Sequence, residues 1–237
     1  MPDSTPQGRR DPASRLPLEL AIVFAVQMAV VFTLVRIDEA ISLAGTLHAA
    51  VGLVFVFLPV VVLDRRGKPY ARYGLRFSPR EAPRDLIWFA GAAAICFVPI
   101  AFAAPPFWEA AFDLPTLEWS FAWPRGYPEV ALSHLLVVAV PEEFFYRGYV
   151  MGRLDDIFPG RIYLLGARVG VSLPLQAALF AIGHFLIDLN PARLAVFFPA
   201  LAFGWLRARR GTIAAGVLFH AASNVFMDLL TTGYGFR

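Results

Sequence analysis

The sequence predicts an all-α protein that crosses a membrane several times. The chain of 237 residues is 58% hydrophobic and only 16% charged, whereas a soluble domain carries about a quarter charged residues. Its apolar residues are gathered in runs of about 20, the length of helix that crosses ~30 Å of hydrocarbon. Seven runs follow one another along the chain: Leu16–Val35, Leu43–Leu63, Leu86–Ala104, Val130–Met151, Val171–Ile187, Ala192–Leu206 and Thr212–Leu230. We therefore expect a polytopic transmembrane helix bundle of about seven spans.

Two of these runs are less regular than the others. The sixth run, Ala192–Leu206, is short, and its ends are not sharply marked in the sequence. The fourth contains Glu142, Glu143 and Arg147, and it counts as one span only if these residues serve a function. An ionisable residue at the centre of a bilayer costs ~2.5–3.5 kcal/mol on insertion scales. Three of them so close together mark the fourth run as the place where chemistry is expected.

The basic residues predict the orientation of the bundle. With seven spans, 16 of the 21 Lys and Arg residues fall on one side of the membrane and 4 on the other, with Arg147 inside a span. The positive-inside rule then places the N-terminus in the cytoplasm and the C-terminus outside. Because orientation explains the basic residues, the net charge of +3 does not indicate nucleic-acid binding.

The chain is expected to have four parts. Residues 1–15 are polar and rich in Pro, Ser and Arg, which is typical of a disordered cytoplasmic tail. Residues 16–129 hold three spans and an external aromatic segment from Pro105 to Glu129, which is either an interfacial belt or a lip that admits a substrate helix. Residues 130–230 form the candidate catalytic core, and 231–237 a short tail. The single cysteine, Cys96, excludes an internal disulfide and a multi-cysteine metal site.

Three pairs of residues spaced four apart lie inside the predicted spans. Residues at this spacing share one face of a helix. Lipid cannot solvate polar side chains, so they turn toward the bundle interior or a water-filled cavity. The pairs are Glu143 with Arg147, Phe180 with His184, and His220 with Asn224. We expect the three helices to converge and to enclose a polar cavity.

The chemistry open to this set is the activation of water. Glu142 with His184 can act as a general base toward a water molecule that attacks a carbonyl. His220 and the carboxamide of Asn224 can donate hydrogen bonds to the developing oxyanion. No Ser-His-Asp arrangement occurs at these positions, and the lone cysteine has no polar partner in its span.

Other residues are expected to support this chemistry. Pro141 lacks a backbone donor and should open the helix locally so that water can enter. Arg147 should pair with Glu143, four residues earlier, and hold in place the helix that carries both residues and Glu142. Asp188, four residues after His184, is a candidate to orient that imidazole. The two remaining histidines, His48 and His134, are expected to find hydrogen-bond partners inside the bundle.

These motifs resemble a known family. Glu142-Glu143-x-x-x-Arg147, Phe180-x-x-x-His184 and His220-x-x-x-Asn224, in this order, are similar to the motifs of the type II CAAX prenyl endopeptidases and their bacterial relatives, which are glutamic-type intramembrane proteases. The resemblance covers about Val130–Met227. It implies that Glu142 and His184 activate water, that His220 and Asn224 stabilise the oxyanion, and that no cofactor is needed.

The resemblance also implies a substrate and a location. The substrate should be a membrane-anchored protein or peptide: a prenylated C-terminus, a peptide precursor or a C-terminal sorting helix. By the habit of the family, so compact a chain is expected in the bacterial cytoplasmic (inner) membrane, where sorting or peptide maturation is favoured over prenylated substrates.

Two alternatives remain open. Glu142, His184 and His220 form a Glu-His-His set of the kind that catalytic zinc accepts, although the His-Glu-x-x-His spacing is absent. A non-hydrolytic scaffold or transporter partner would use the same cavity for binding. A scaffold has no reason to keep all of these residues, and a transporter of this size would more often show internal symmetry.

Overall fold

The protein is helical, as the sequence predicts. The computed structural model describes residues 15–41, 47–113, 116, 118–120, 126–160 and 162–235. Its helices are α1 Leu16–Ile41, α2 His48–Arg65, α3 Ala82–Phe112, α4 Tyr127–Ser133, α5 Val140–Glu143, α6 Met151–Ile157, α7 Ser172–Asp188, α8 Phe197–Arg210 and α9 Ala214–Gly233. Each of the seven predicted apolar runs overlaps at least one of these helices, and the fourth run overlaps three, α4, α5 and α6. The all-α class is confirmed, while the count of seven spans and the orientation stay predictions.

Three of the described helices are long and apolar enough to cross a membrane. They are Leu16–Ile41, Ala82–Phe112 and Ala214–Gly233, and Ser172–Asp188 is a shorter apolar helix. The helix α3 runs eight residues beyond the predicted end of its span at Ala104, through Pro105 and Pro106. Each proline removes one backbone donor but does not end the helix, so the first eight residues of the predicted external segment are helical.

Short irregular elements join the helices. Turns of 3₁₀-helix cover Tyr70–Tyr73 and Pro191–Val196, and π-helical turns cover His134–Ala139 and Phe144–Val150. Two strands that the sequence analysis did not predict, β1 Ile162–Leu164 and β2 Ala167–Val169, form an antiparallel hairpin between α6 and α7.

Packing divides the chain into two compact units. The first combines the residues up to Phe77 with Pro141–Ile213, and the second combines Ser78–Val140 with the residues from Ala214 onward. Each unit combines separate stretches of the chain, whereas the four predicted parts, 1–15, 16–129, 130–230 and 231–237, are consecutive. That functional division stays a prediction, and the predicted tail lies outside the described residues apart from Arg15.

Aromatic rings fill the centre of the first unit. Phe145 lies edge-on to Phe55 with ring centroids 5.4 Å apart, and Tyr146 lies edge-on to Phe180 at 4.9 Å. Such edge-to-face contacts add to the free energy gained by removing large rings from solvent. The Tyr146–Phe180 contact joins the segment after Glu142 to α7.

Ion pairs join helix ends within the first unit. Arg153 of α6 is 1% exposed and donates to Glu19 of α1 at 2.6 Å and to Asp156 at 3.2 Å. Arg66, at the end of α2, reaches the other oxygen of Glu19 at 2.6 Å. These ends belong to the side that the basic residues predict to be cytoplasmic. The C-terminal ends of α1 and α7 are also joined, because the Arg36 guanidinium of α1 donates to the Ile187 carbonyl of α7 at 2.7 Å.

The second unit is built on α3 and α9. Phe97 of α3 stacks on Phe219 and Phe226 of α9 with centroids 5.3 and 4.6 Å apart. His134 lies 2.7 Å from a carboxylate oxygen of Asp228, so the prediction that His134 is a satisfied histidine is confirmed. The side chain of His48 lies outside the described residues.

Candidate active site

Glu142 lies in a locally irregular stretch of helix. The single α-turn that carries it, Val140–Glu143, is flanked on both sides by π-helical turns. Pro141 has no backbone N–H to donate, so the regular hydrogen-bond ladder is interrupted next to Glu142. Widened π-turns inside helices occur frequently at functional sites. Pro141 therefore lies between two π-turns, and the entry of water beside it stays a prediction.

Glu143 and Arg147 form a fully buried ion pair. An Arg147 Nη1–Glu143 Oε1 distance of 2.8 Å joins them, and neither side chain is exposed. The prediction that Arg147 pairs with Glu143 is confirmed. Removing one partner from such a pair leaves an uncompensated charge in a low-dielectric interior. The pair therefore fixes the helical segment that carries Glu142.

Arg147 also binds two further helices. Its guanidinium carbon lies 4.3 Å from the centre of the Phe180 ring in α7 and 4.8 Å from that of Phe203 in α8. Its Nη2 donates to the Ala200 carbonyl in α8 at 3.4 Å. A guanidinium over an aromatic face is stabilised by the ring's quadrupole, and more strongly where water is excluded. Arg147 thus holds the Glu142 segment, α7 and α8 together.

His184 is fixed in one tautomer by its own helix. Its Nδ1 lies 3.0 Å from the Phe180 carbonyl oxygen, and its ring centroid is 4.3 Å from that of Phe180. A carbonyl oxygen only accepts, so Nδ1 carries a hydrogen, and in the neutral imidazole the lone pair is on Nε2. The predicted Phe180–His184 pair is therefore present, and Nε2 is the nitrogen that remains for chemistry.

The expectation that Asp188 orients His184 is wrong. In the structure, Arg193 Nε donates to Asp188 Oδ2 at 2.8 Å, and the backbone N–H of Asn190 donates to Oδ1 at 3.1 Å. The Arg193 hydrogen bond, followed by that of Asn190, lowers the pKa of Asp188. The helix ends at Asp188, so its carboxylate turns to the following loop instead of back along α7.

Glu142 lies beside a tyrosine that the sequence analysis did not single out. The half-buried Glu142 interacts electrostatically with Tyr146 and Arg147. The Tyr146 hydroxyl donates weakly to the Met28 sulfur at 3.9 Å. A Cβ added to Gly183 would lie 2.5 Å from that hydroxyl oxygen, so only glycine allows this approach one residue before His184. The sequence signal that could have identified Tyr146 is its position four residues after Glu142.

His220 and Asn224 lie on α9, in the second unit. His220 is 4% exposed and Asn224 is half-buried. They share a helix face through their four-residue spacing. The expected convergence of these two residues with Glu142 and His184 stays a prediction. So do their roles in catalysis.

A second polar cluster lies at the end of α6, and the sequence analysis missed it. Arg153 donates to Tyr73 at 3.3 Å, and the Tyr73 hydroxyl donates to Asp156 at 2.8 Å. Burial, and then the nearby Asp156 carboxylate, raise the pKa of Tyr73 to about 12. Asp155 accepts from Ser172 of α7 at 2.5 Å and from Arg207 of α8 at 2.6 Å. Sequence spacing could not reveal these bonds, because most of them join different helices.

The fold and these side chains define a helical integral membrane protein with ionisable residues held inside it. Residues 124–226 match the model of the family described as type II CAAX prenyl endopeptidase Rce1-like. This match supports the resemblance to a family of membrane proteases that was read from the motifs. The matched segment contains all three motifs. No curated protein and no solved structure matches the chain.

Proposed function

We propose that the protein is an intramembrane endopeptidase that hydrolyses a peptide bond with water activated by Glu142 and His184. The Glu142 carboxylate takes a proton as the water oxygen attacks the carbonyl carbon. A tetrahedral intermediate forms, and its oxyanion accepts hydrogen bonds from His220 and Asn224. Glu142 then returns the proton to the leaving nitrogen as the C–N bond breaks. The products are a carboxylic acid and an amine.

The observation that carries this proposal is the chain of contacts from Glu143 to His184. Glu143 pairs with Arg147, Arg147 lies on Phe180, and Phe180 contacts His184 and accepts its Nδ1 hydrogen bond. This chain holds the segment that carries Glu142 against the helix that carries His184. It also leaves the Nε2 lone pair of His184 available to accept a hydrogen bond from water. Such fixed orientation is what general-base catalysis requires.

The roles of His220 and Asn224 rest on the family resemblance and on their chemistry. Both side chains can donate a hydrogen bond, and both lie in the segment that matches the family model. A buried donor stabilises developing negative charge more strongly than one in water, because water is excluded around it. We assign them to the oxyanion on these grounds.

The family acts on membrane-anchored proteins, and we propose a substrate of that kind for this chain. By the habit of the family, we propose the bacterial cytoplasmic membrane as its location. Peptide precursors and C-terminal sorting helices are then the preferred substrates, ahead of prenylated C-termini. The reaction as proposed needs no metal, because Glu142 itself accepts and returns the proton.

A reconstitution experiment tests the function. Purified protein in vesicles is offered three anchored substrates: a prenylated C-terminal peptide, a peptide precursor and a C-terminal helix. We expect one of them to yield two fragments by mass spectrometry, with equal yield after dialysis against a strong chelator. Activity that is lost on dialysis and returns only with zinc would assign Glu142, His184 and His220 as ligands. Binding of a substrate without any cleavage would favour the scaffold alternative.

A further inference from the structure

The hairpin between α6 and α7 exposes apolar side chains at its tip. Ile162, Tyr163, Leu164 and Leu165 are 65%, 77%, 46% and 79% exposed. Four consecutive apolar residues at a turn are unusual, since turns that face water are built from Gly, Asn, Asp, Ser and Pro. An exposed apolar patch of this kind marks a surface that is covered by something other than water.

The geometry of the turn does not explain the choice of leucine. Leu165 has φ 48° and Gly166 has φ 78°, so both central residues are in the left-handed region. Two-residue hairpin turns of this kind prefer Asn-Gly or Asp-Gly. Leucine is disfavoured here by the contact between its Cβ and the backbone, and asparagine is tolerated better. An apolar side chain at this position is favoured only if the tip lies in apolar surroundings.

The hairpin is rigidly attached on its other strand. Ala167 and Val169 of β2 are buried against Met151 of α6 and Leu173 of α7. The Trp205 indole of α8 donates to the Leu164 carbonyl at 2.9 Å. The tip is therefore held in a fixed position, while the side chains of β1 remain exposed.

Arginines lie behind this apolar tip. A Cβ at Gly166 would meet the Arg209 guanidinium at 3.1 Å, so Arg209 lies directly beside the turn. Arg168 is exposed on β2 and donates through Nε to the Gly160 carbonyl at 2.6 Å. Apolar residues at the tip with Arg and Trp behind them are typical of segments at the boundary between acyl chains and headgroups.

We propose that the tip of the hairpin, Ile162–Leu165, inserts into the headgroup–acyl boundary of the leaflet that is predicted to be cytoplasmic. The occupant of this surface is the bilayer itself. The hairpin joins two helices of an integral membrane protein, and Arg168 and Arg209 complement anionic lipid headgroups. The aromatic ring of Tyr163 suits the same depth. This inference rests on the membrane location of the chain and not on its proteolytic activity.

Site-directed spin labelling tests the depth of the tip. In a Cys96→Ala background, Leu165→Cys carries a nitroxide, and the protein is placed in vesicles of phosphatidylcholine and phosphatidylglycerol. We expect the label to collide frequently with oxygen, which dissolves in lipid, and rarely with a water-soluble nickel chelate. The matched control is Arg76→Cys, an exposed polar position of the same unit, where the opposite ratio is expected.

Every other outcome would overturn the proposal. Frequent collisions of the Leu165→Cys label with the nickel chelate would place the tip in water. Protection from both reagents would mean that a second copy or another protein segment covers it.

A second variant tests the same point through the turn chemistry. Leu165→Asn improves the turn, so it should raise the thermal midpoint of unfolding if the tip lies in water. If the tip lies in lipid, the variant should lower the midpoint in vesicles, because a carboxamide replaces a buried apolar group. We expect the lower midpoint, and a higher one would contradict the inserted tip.

Discussion

Arg147→Met is expected to destabilise the protein strongly as well as inactivate it. Methionine keeps most of the length of the side chain but leaves Glu143 charged and buried. Breaking a buried ion pair typically costs about 3–5 kcal/mol, and the desolvated contact with Phe180 can add about 2 kcal/mol. The ion pair alone, at about 4 kcal/mol, corresponds to roughly a thousandfold change in the folding equilibrium.

A double-mutant cycle separates the interaction energy of Glu143 and Arg147 from the effect of changing each residue alone. Glu143→Gln with Arg147→Met removes both charges, so the double variant should be more stable than the sum of the single losses predicts. Thermal midpoints in detergent and expression levels would give the comparison. An exposed pair serves as the matched control: Arg193→Met breaks a contact of 2.8 Å with Asp188, with 55% of the Arg193 side chain exposed. That loss should be at most about 1 kcal/mol.

Two results would refute this reasoning. An Arg147→Met protein as stable as the wild type but inactive would move Arg147 from a positioning role into the chemistry. An additive cycle, in which the double variant loses as much as both single variants together, would show that the buried contact with Glu143 does not hold the segment in place.

Three further predictions concern Gly152, Tyr73 and Asp188. Gly152→Ala would place a Cβ 2.2 Å from the Tyr73 ring, so its thermal midpoint should fall by the equivalent of about 1–3 kcal/mol. The control Gly91→Ala, whose added Cβ would have nothing within 4 Å, should be neutral or stabilising. Equal effects of the two variants on the thermal midpoint would contradict the packing. Burial raises the pKa of Tyr73 to about 12, above about 10 in the unfolded chain. The stability that wild type holds over Tyr73→Phe should therefore be complete below about pH 10 and shrink as the pH rises to about 12; a pH-independent difference in denaturation midpoints would refute it. Because Asp188 does not contact His184, Asp188→Asn should keep a wild-type cleavage rate and pH profile, and a shifted profile would restore its predicted role.

The sequence was informative for two pairs of partners that lie on one helix. The Glu143–Arg147 pair and the Phe180–His184 contact follow from four-residue spacing and from the high cost of unpaired charge in lipid. These two rules need no knowledge of the tertiary structure.

Contacts between helices could not be derived in this way. Nothing in the spacing shows that Arg147 lies against Phe203, or that Arg153 reaches Glu19 across 134 positions of the chain. Asp188 was assigned by helical spacing, but its helix ends there, and the next turn brings Arg193 to the carboxylate. The hairpin was missed because strands of three residues carry too little alternation to be distinguished from a loop.

The central claim is that Glu142 acts as the base, and the cleavage rate of Glu142→Gln tests it most directly. Glutamine keeps the size of the side chain but cannot take a proton, so the rate of substrate cleavage in vesicles should fall by about 10²–10⁴. The thermal midpoint should stay close to that of wild type, since the Glu143–Arg147 pair is untouched. Glu129→Gln, an exposed acid in the first turn of α4, is the matched control and should cleave normally. A stable Glu142→Gln protein that cleaves at the wild-type rate would contradict the account.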